Sequence, residues 1–213
     1  MHTRRDAIAT VAGGAVVAVA GCSALFGDGI EKRASPAAVT EGTLQTTGYE
    51  QQGMTEQQFT QTVRISGEER DLKLTNWITE YRKLPGSTEQ SAATFLIFTT
   101  PTVTIAGQSA NPFDQFDERR LLRQLISLSA RGDAGSLDEQ EGRTIDILGT
   151  SVDTSIYRTT QSVAGQSVDV LIHTGNLTNE GDILYVMGAH PQFIDEAENI
   201  QLLSEGIDHP VEP

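Results

Sequence analysis

Phe59-Thr60-Gln61-Thr62-Val63-Arg64-Ile65-Ser66-Gly67-Glu68-Glu69-Arg70-Asp71-Leu72-Lys73-Leu74 reads as strand, turn and strand. Val63 and Ile65 alternate with polar neighbours, and beyond the glycine so do Leu72, Leu74 and Ile78. A period of two sends successive side chains to opposite faces, the pattern of a half-buried strand. Ser66-Gly67 supplies a residue that takes positive φ without strain, as a tight hairpin requires. The same punctuation recurs as Ala106-Gly107-Gln108-Ser109, Leu148-Gly149-Thr150-Ser151 and Ala164-Gly165-Gln166-Ser167. Repeated turns of this kind build antiparallel sheets and mark no binding motif.

Outward from this hairpin, Phe95 to Ile105 is β-rich, and further strands are expected at Thr144–Leu148, Val152–Val163, Ser167–His173 and Asp182–His190. Helical patterns separate them. Ser35-Pro36 pairs an N-cap serine with a proline at the first helical position, ahead of Ala37, Ala38, Val39 and Leu44, with Gly48 to close. Asp117 precedes a stripe of Leu121, Leu122, Leu125 and Leu128 at helical period, whose outer face carries Arg119, Arg120 and Arg123. Arg131 to Gly142 reads as a polar loop. Gln192 to Glu205 makes a last helix, with acidic residues early, Ala197, Ile200 and Leu203 inward, and Gly206 as its C-cap. The sum is an α+β domain over residues 35–209, an antiparallel sheet of about seven strands flanked by three helices, with residues 210–213 as a tail.

Residues 1–21 read as an export signal. Arg4-Arg5 precedes the mild apolar run Ala7 to Ala20, too short for a hydrocarbon core that needs about 20 residues. Paired arginines resemble a twin-arginine address. Val19-Ala20-Gly21-Cys22 resembles a lipobox, in which Cys22 becomes the lipidated N-terminus. Cys22 is the only cysteine, so it makes no disulfide within the chain. Two acyl chains on its sulfur hold a protein firmly where one does not. Residues 22–34 are small and charged and read as a flexible tether.

Without the signal the net charge is −15, against −14 for the whole chain, and the only lysines are Lys32, Lys73 and Lys83. An acidic surface nearly without lysine suits concentrated salt, where the Debye length falls to about 3 Å and charge serves solubility more than steering. Nucleic acid is excluded as a partner, because phosphate binding needs a basic stripe. The expected partners are the membrane through the anchor, and an envelope protein or small ligand.

No catalytic constellation stands out. Ser109, Ser151 and Ser167 each follow a glycine by two residues, but no second glycine completes a nucleophile elbow. His173 and His190 fall on adjacent expected strands. A hairpin about residues 176–181 places His173 near residue 184 and His190 several pairs away, which argues against a two-histidine metal site. Phosphate-cradling and metal-ligating spacings are absent, so no cofactor, metal or catalytic residue is assigned. Trp77 and Tyr81 share a strand face and form a candidate ligand platform. Asn176-Leu177-Thr178 is a glycosylation sequon expected in a hairpin loop. A non-catalytic binding or accessory module is the leading expectation; a surface hydrolase built on scattered carboxylates and a structural envelope component are the alternatives.

The twin arginines and lipobox, with Ala34-Ser35-Pro36, Thr47-Gly48-Tyr49-Glu50, Leu74-Thr75-Asn76-Trp77, Glu80-Tyr81, Thr100-Pro101, Asn111-Pro112-Phe113 and Ala164-Gly165-Gln166, resemble an uncharacterised family of haloarchaeal lipoproteins. That resemblance implies provenance and no mechanism. The order of elements also resembles the α/β sandwich of the Mog1/PsbP type, from which no function follows.

Overall fold

The computed structural model describes residues 29–65, 67–83, 93–128, 135–163 and 166–213. Arg4, Arg5 and Cys22 lie outside these residues. In chain order the elements are β1 (Gly29–Arg33), β2 (Ala38–Val39), α1 (Glu41–Thr47), β3 (Glu50–Ile65), β4 (Glu68–Lys83), β5 (Ala93–Pro101), β6 (Thr104–Ile105) and β7 (Gln108–Ser109). A 3-10 turn at Phe113–Gln115 leads to α2 (Glu118–Leu128), β8 (Asp138–Ile147), β9 (Thr150–Val163), β10 (Gln166–Asn179), β11 (Asp182–Pro191), α3 (Ala197–Glu205) and β12 (Ile207–Asp208).

Eight strands form the main sheet in the order β1-β4-β5-β11-β10-β9-β8, with β3 on the other edge of β4. The quoted hairpin is present at full length, from Glu50 opposite Arg82 to Ile65 opposite Glu68. β5 accompanies β4 only from Trp77 to Lys83, so the far half of the β3–β4 ribbon projects beyond the central strands. There β1 takes the vacant edge, Gly29 opposite Asp71 through Arg33 opposite Thr75.

β1 is parallel to β4, which corrects the wholly antiparallel expectation. It also corrects the tether, whose Gly29–Arg33 portion is a strand. Backbone pairing to an open edge demands no apolar pattern, and a strand arriving from outside the sheet is not bound by a hairpin to run antiparallel.

Ser35-Pro36 does not open a helix. Ala34 N–H donates to Thr75 O (2.9 Å), Ser35 N–H to Asp182 Oδ2 (2.7 Å) and Val39 N–H to Tyr81 Oη (2.8 Å). Tertiary partners satisfy these backbone groups in an extended path, outweighing a local helix signal. The helix starts at Glu41 and ends, as expected, at Gly48 with φ 73°. α2 is capped as expected, Arg120 N–H donating to Asp117 Oδ1 at 2.8 Å. α3 begins at Ala197, later than expected, because Gln192 N–H is drawn to Asp169 O (2.8 Å) and residues 191–194 turn. Gly206 has φ −90° and needs no left-handed backbone. A Cβ there would lie 2.3 Å from Thr43 Oγ1, so its smallness lets α3 close on α1. The expected polar loop is shorter than Arg131 to Gly142, since β8 begins at Asp138.

The turns at Ala106-Gly107 and Leu148-Gly149 carry two successive left-handed residues, as two-residue hairpins demand. Glu180-Gly181 is a further such turn, and it sets the register of β10 on β11. The 34–39 segment, α1 and α3 cover one face, over Tyr81, Phe95, Ile97, Leu184 and Val186. α2 covers the other, over Phe98, Tyr157, Ile172, Tyr185 and Met187. A third, smaller cluster of Leu72, Leu74 and Val103 lies on the projecting ribbon, with Ile30, Val63, Ile105 and Ala110 half-buried around it.

Candidate functional site

Register decides the histidines. Because the chain turns at Glu180-Gly181, His173 faces Gly188 and His190 faces Leu171, so the two rings are diagonal neighbours. The expectation that they stay several pairs apart is thereby corrected. Their Nε2 atoms are 3.1 Å apart with ring centroids at 5.3 Å and planes 21° from parallel. The nitrogens therefore point at each other along the line of centres, the geometry of an N–H···N hydrogen bond. Two metal ligands would instead aim at a common third point. His190 Nδ1 lies 3.0 Å from Pro191 O, which only accepts, so Nδ1 carries the proton and His190 Nε2 accepts from His173 Nε2–H. Burial, and then the electrostatic influence of His190 and Arg143, pull the His173 pKa down to about 4. His173 is neutral at pH 7, and the space beside it, near Arg143, Gln201 and Ser204, is about 10 Å³, room for one water. This is an interior strut.

Glu196 is buried at the start of α3. Its carboxylate accepts from Lys83 Nζ (2.9 Å), Asn199 Nδ2 (2.8 Å) and Tyr49 Oη (3.4 Å). Burial and this carboxylate raise the Tyr49 pKa. At the end of the sheet near the ribbon, Asp182 Oδ2 meets His209 Nε2 (3.2 Å) and Ser35 N–H, while His209 Nδ1 meets Asn179 Oδ1 (2.9 Å). Val211 N–H donates to Pro36 O (3.0 Å), so the tail is fastened at Val211. Both clusters spend their polar atoms joining distant parts of the chain.

The candidate platform does not stand open. Tyr81 is closed in the core and receives Val39 N–H, while Trp77 Nε1–H donates to Ala34 O (3.1 Å). Both residues hold the 34–39 segment. Asn176 is exposed but sits inside β10 opposite Tyr185, which corrects its placement in a loop. Arg119 binds Leu137 O (2.6 Å) and Glu139 (3.0 Å), and Arg120 lies over Phe116, 4.1 Å from the ring centroid. Ser151 Oγ donates to Asp146 Oδ1 at 2.8 Å in the β8–β9 hairpin. Among the described residues, no group of three or more His, Cys, Asp or Glu side chains is disposed to hold a metal.

A sizeable concavity lies elsewhere, on the projecting ribbon. A groove of about 610 Å³ runs between β1, β3 and the β6–β7 hairpin. Its apolar lining is Ile30, Val63, Ile65, Val103 and Ile105, with Lys32 on the same face as Ile30, while Arg64 borders it from the opposite face of β3, where it pairs with Glu69. Period-two pairing explains the lining. Ile30 faces Leu72 and Val63 faces Arg70, so both project on the Leu72–Leu74 side, where the short β6–β7 hairpin covers only part of the surface. Sequence reasoning missed this site, although its alternating apolar residues are the ones that identified the hairpin. Which uncovered strip they would line depended on β1 and β6–β7 arriving.

No curated protein and no solved structure matches the chain. The family model described as a domain of unknown function (DUF6517) matches residues 36–208, and the chain belongs to that family.

Proposed function

We propose that this protein is a lipid-anchored lipoprotein on the extracytoplasmic face of the cell membrane of a salt-requiring, haloarchaeal organism. It is exported through the twin-arginine signal and acts as a non-catalytic binding or accessory module. The observation that carries this reading is the place where the chain enters the fold. β1 begins at Gly29, seven residues after Cys22 in the lipobox-like stretch. At ~3.5 Å per residue these seven residues span at most about 25 Å, which keeps the ribbon close to a bilayer that holds Cys22. The engaged state of the buried His173–His190, Glu196 and Asp182–His209 clusters favours a binding role over a catalytic one. Helices on both faces of the sheet support the Mog1/PsbP type as the finer fold assignment.

Membrane fractionation tests the anchor. Wild-type protein partitions with membranes and Cys22→Ser is released from them, with the native protein carrying a lipidated residue 22 by mass spectrometry. Retention of residues 1–21, or an unmodified sulfur on native protein, refutes the reading.

A further inference from the structure

We propose that the ribbon groove seats one anionic lipid of the surrounding bilayer, its hydrocarbon chain on Ile30, Val63, Ile65 and Ile105 and its headgroup against Lys32. This inference rests on the anchored reading and adds a second, non-covalent membrane contact that sets the orientation of the domain.

Three independent observations converge on this occupant. The first is position: the groove is lined by the first described strand, so Ile30 stands eight residues from Cys22 and lies within reach of the membrane surface. The second is charge. Residues 29–33, 59–75 and 102–110, which build the ribbon and its cover, hold Lys32, Arg33, Arg64, Arg70 and Lys73 against Glu31, Glu68, Glu69 and Asp71, a net of +1. Glu56, just outside these residues, pairs with Arg33, so this end is close to neutral where the mature chain carries −15, and it holds two of the three mature lysines. The third is the form of the groove, an apolar floor with a lysine beside it. Lysine lays its alkyl stem on apolar surface and keeps the charged head at a polar boundary. Lys32 shares the face of Ile30 and has no carboxylate at ion-pair distance among the described residues. Each cation near an anionic membrane surface strengthens association severalfold, and the groove supplies apolar contact that high salt does not screen.

The test uses the full chain with Cys22→Ser, so that no covalent lipid contributes, in the salt of the native protein. Flotation with vesicles of phosphatidylglycerol is compared with phosphatidylcholine. The groove variant Lys32→Glu is made in the same background, as are Ile105→Asp, on a half-exposed site, and Phe193→Ser, at the opposite end of the sheet. We expect preference for phosphatidylglycerol, a severalfold loss for Lys32→Glu, a comparable loss for Ile105→Asp, and no change for Phe193→Ser, with thermal unfolding unchanged in all four. Equal binding to both lipids, or binding indifferent to Lys32 and Ile105, overturns the proposal, as does a dimer that Ile105→Asp dissociates without altering flotation. A lipidated Cys22 with no groove-dependent binding refutes the groove and spares the anchor; groove-dependent binding with an unmodified Cys22 does the reverse.

Discussion

The centre of the sheet and the projecting ribbon are built from the same period-two code and end in opposite conditions. In the centre, β5 and β11 have neighbours on both edges and helices over both faces, and every residue of β5 is buried. Along the ribbon, β3 buries none of its residues outright, and β4 alternates buried with exposed until Trp77, where β5 joins it. The centre therefore leaves little room for water and keeps His173 neutral. The ribbon has one partly covered apolar face and retains a groove. Alternation sorts side chains between two faces; what packs on each face decides whether it becomes core or surface.

That contrast is open to direct attack. Leu184→Ala, in the doubly covered centre, is expected to cost about 4 kcal/mol, because surrounding elements on both sides hold the cavity open. Denaturant unfolding in native salt measures it, and a cost below that of the ribbon substitution below would erase the distinction. Acid attacks the centre next. The unfolded chain protonates His173 near its ordinary pKa of 6.5, whereas the folded chain resists until about 4. The folded state thus binds fewer protons in this window, so its stability is present above pH 6.5 and lost as pH falls through it, by about 3 kcal/mol at full extent. Unfolding at about pH 7 and about pH 4.5 should differ less in His173→Leu than in wild type. Leu72→Ala, equally buried but in the ribbon cluster, is expected to cost only about 2 kcal/mol, since a site beside an open groove relaxes or admits solvent. Smallest of all, Glu69→Ala breaks the exposed pair with Arg64 and should change stability by less than about 0.5 kcal/mol, read by the same unfolding curves.

The hairpins at Ala106-Gly107 and Leu148-Gly149, the Asp117 cap and the α2 stripe were legible because each rests on contacts within a few residues. Ser35-Pro36 misled for the converse reason. Its local helix signal competes with Asp182, Thr75 and Tyr81, all remote in the chain. The histidine pair was missed through the turn alone. Moving the β10–β11 connection to Glu180-Gly181 shifted the register and brought His190 beside His173. The groove was invisible because Ile30 sits in a stretch without any apolar period, and only the edge left free by β5 accounts for its joining the sheet.

By itself, the amino-acid sequence determined the α+β class, most turns, the acidic surface and the lipobox-like stretch with its single cysteine, since these follow from composition and short-range backbone preference. Tertiary structure alone decided the parallel first strand, the hydrogen-bonded imidazole pair, the clasp of Asp182 on both ends of the domain, and the partly covered ribbon. Each of those depends on which distant segment reaches an unpaired edge or an exposed apolar face first, and local propensity carries no information about that competition.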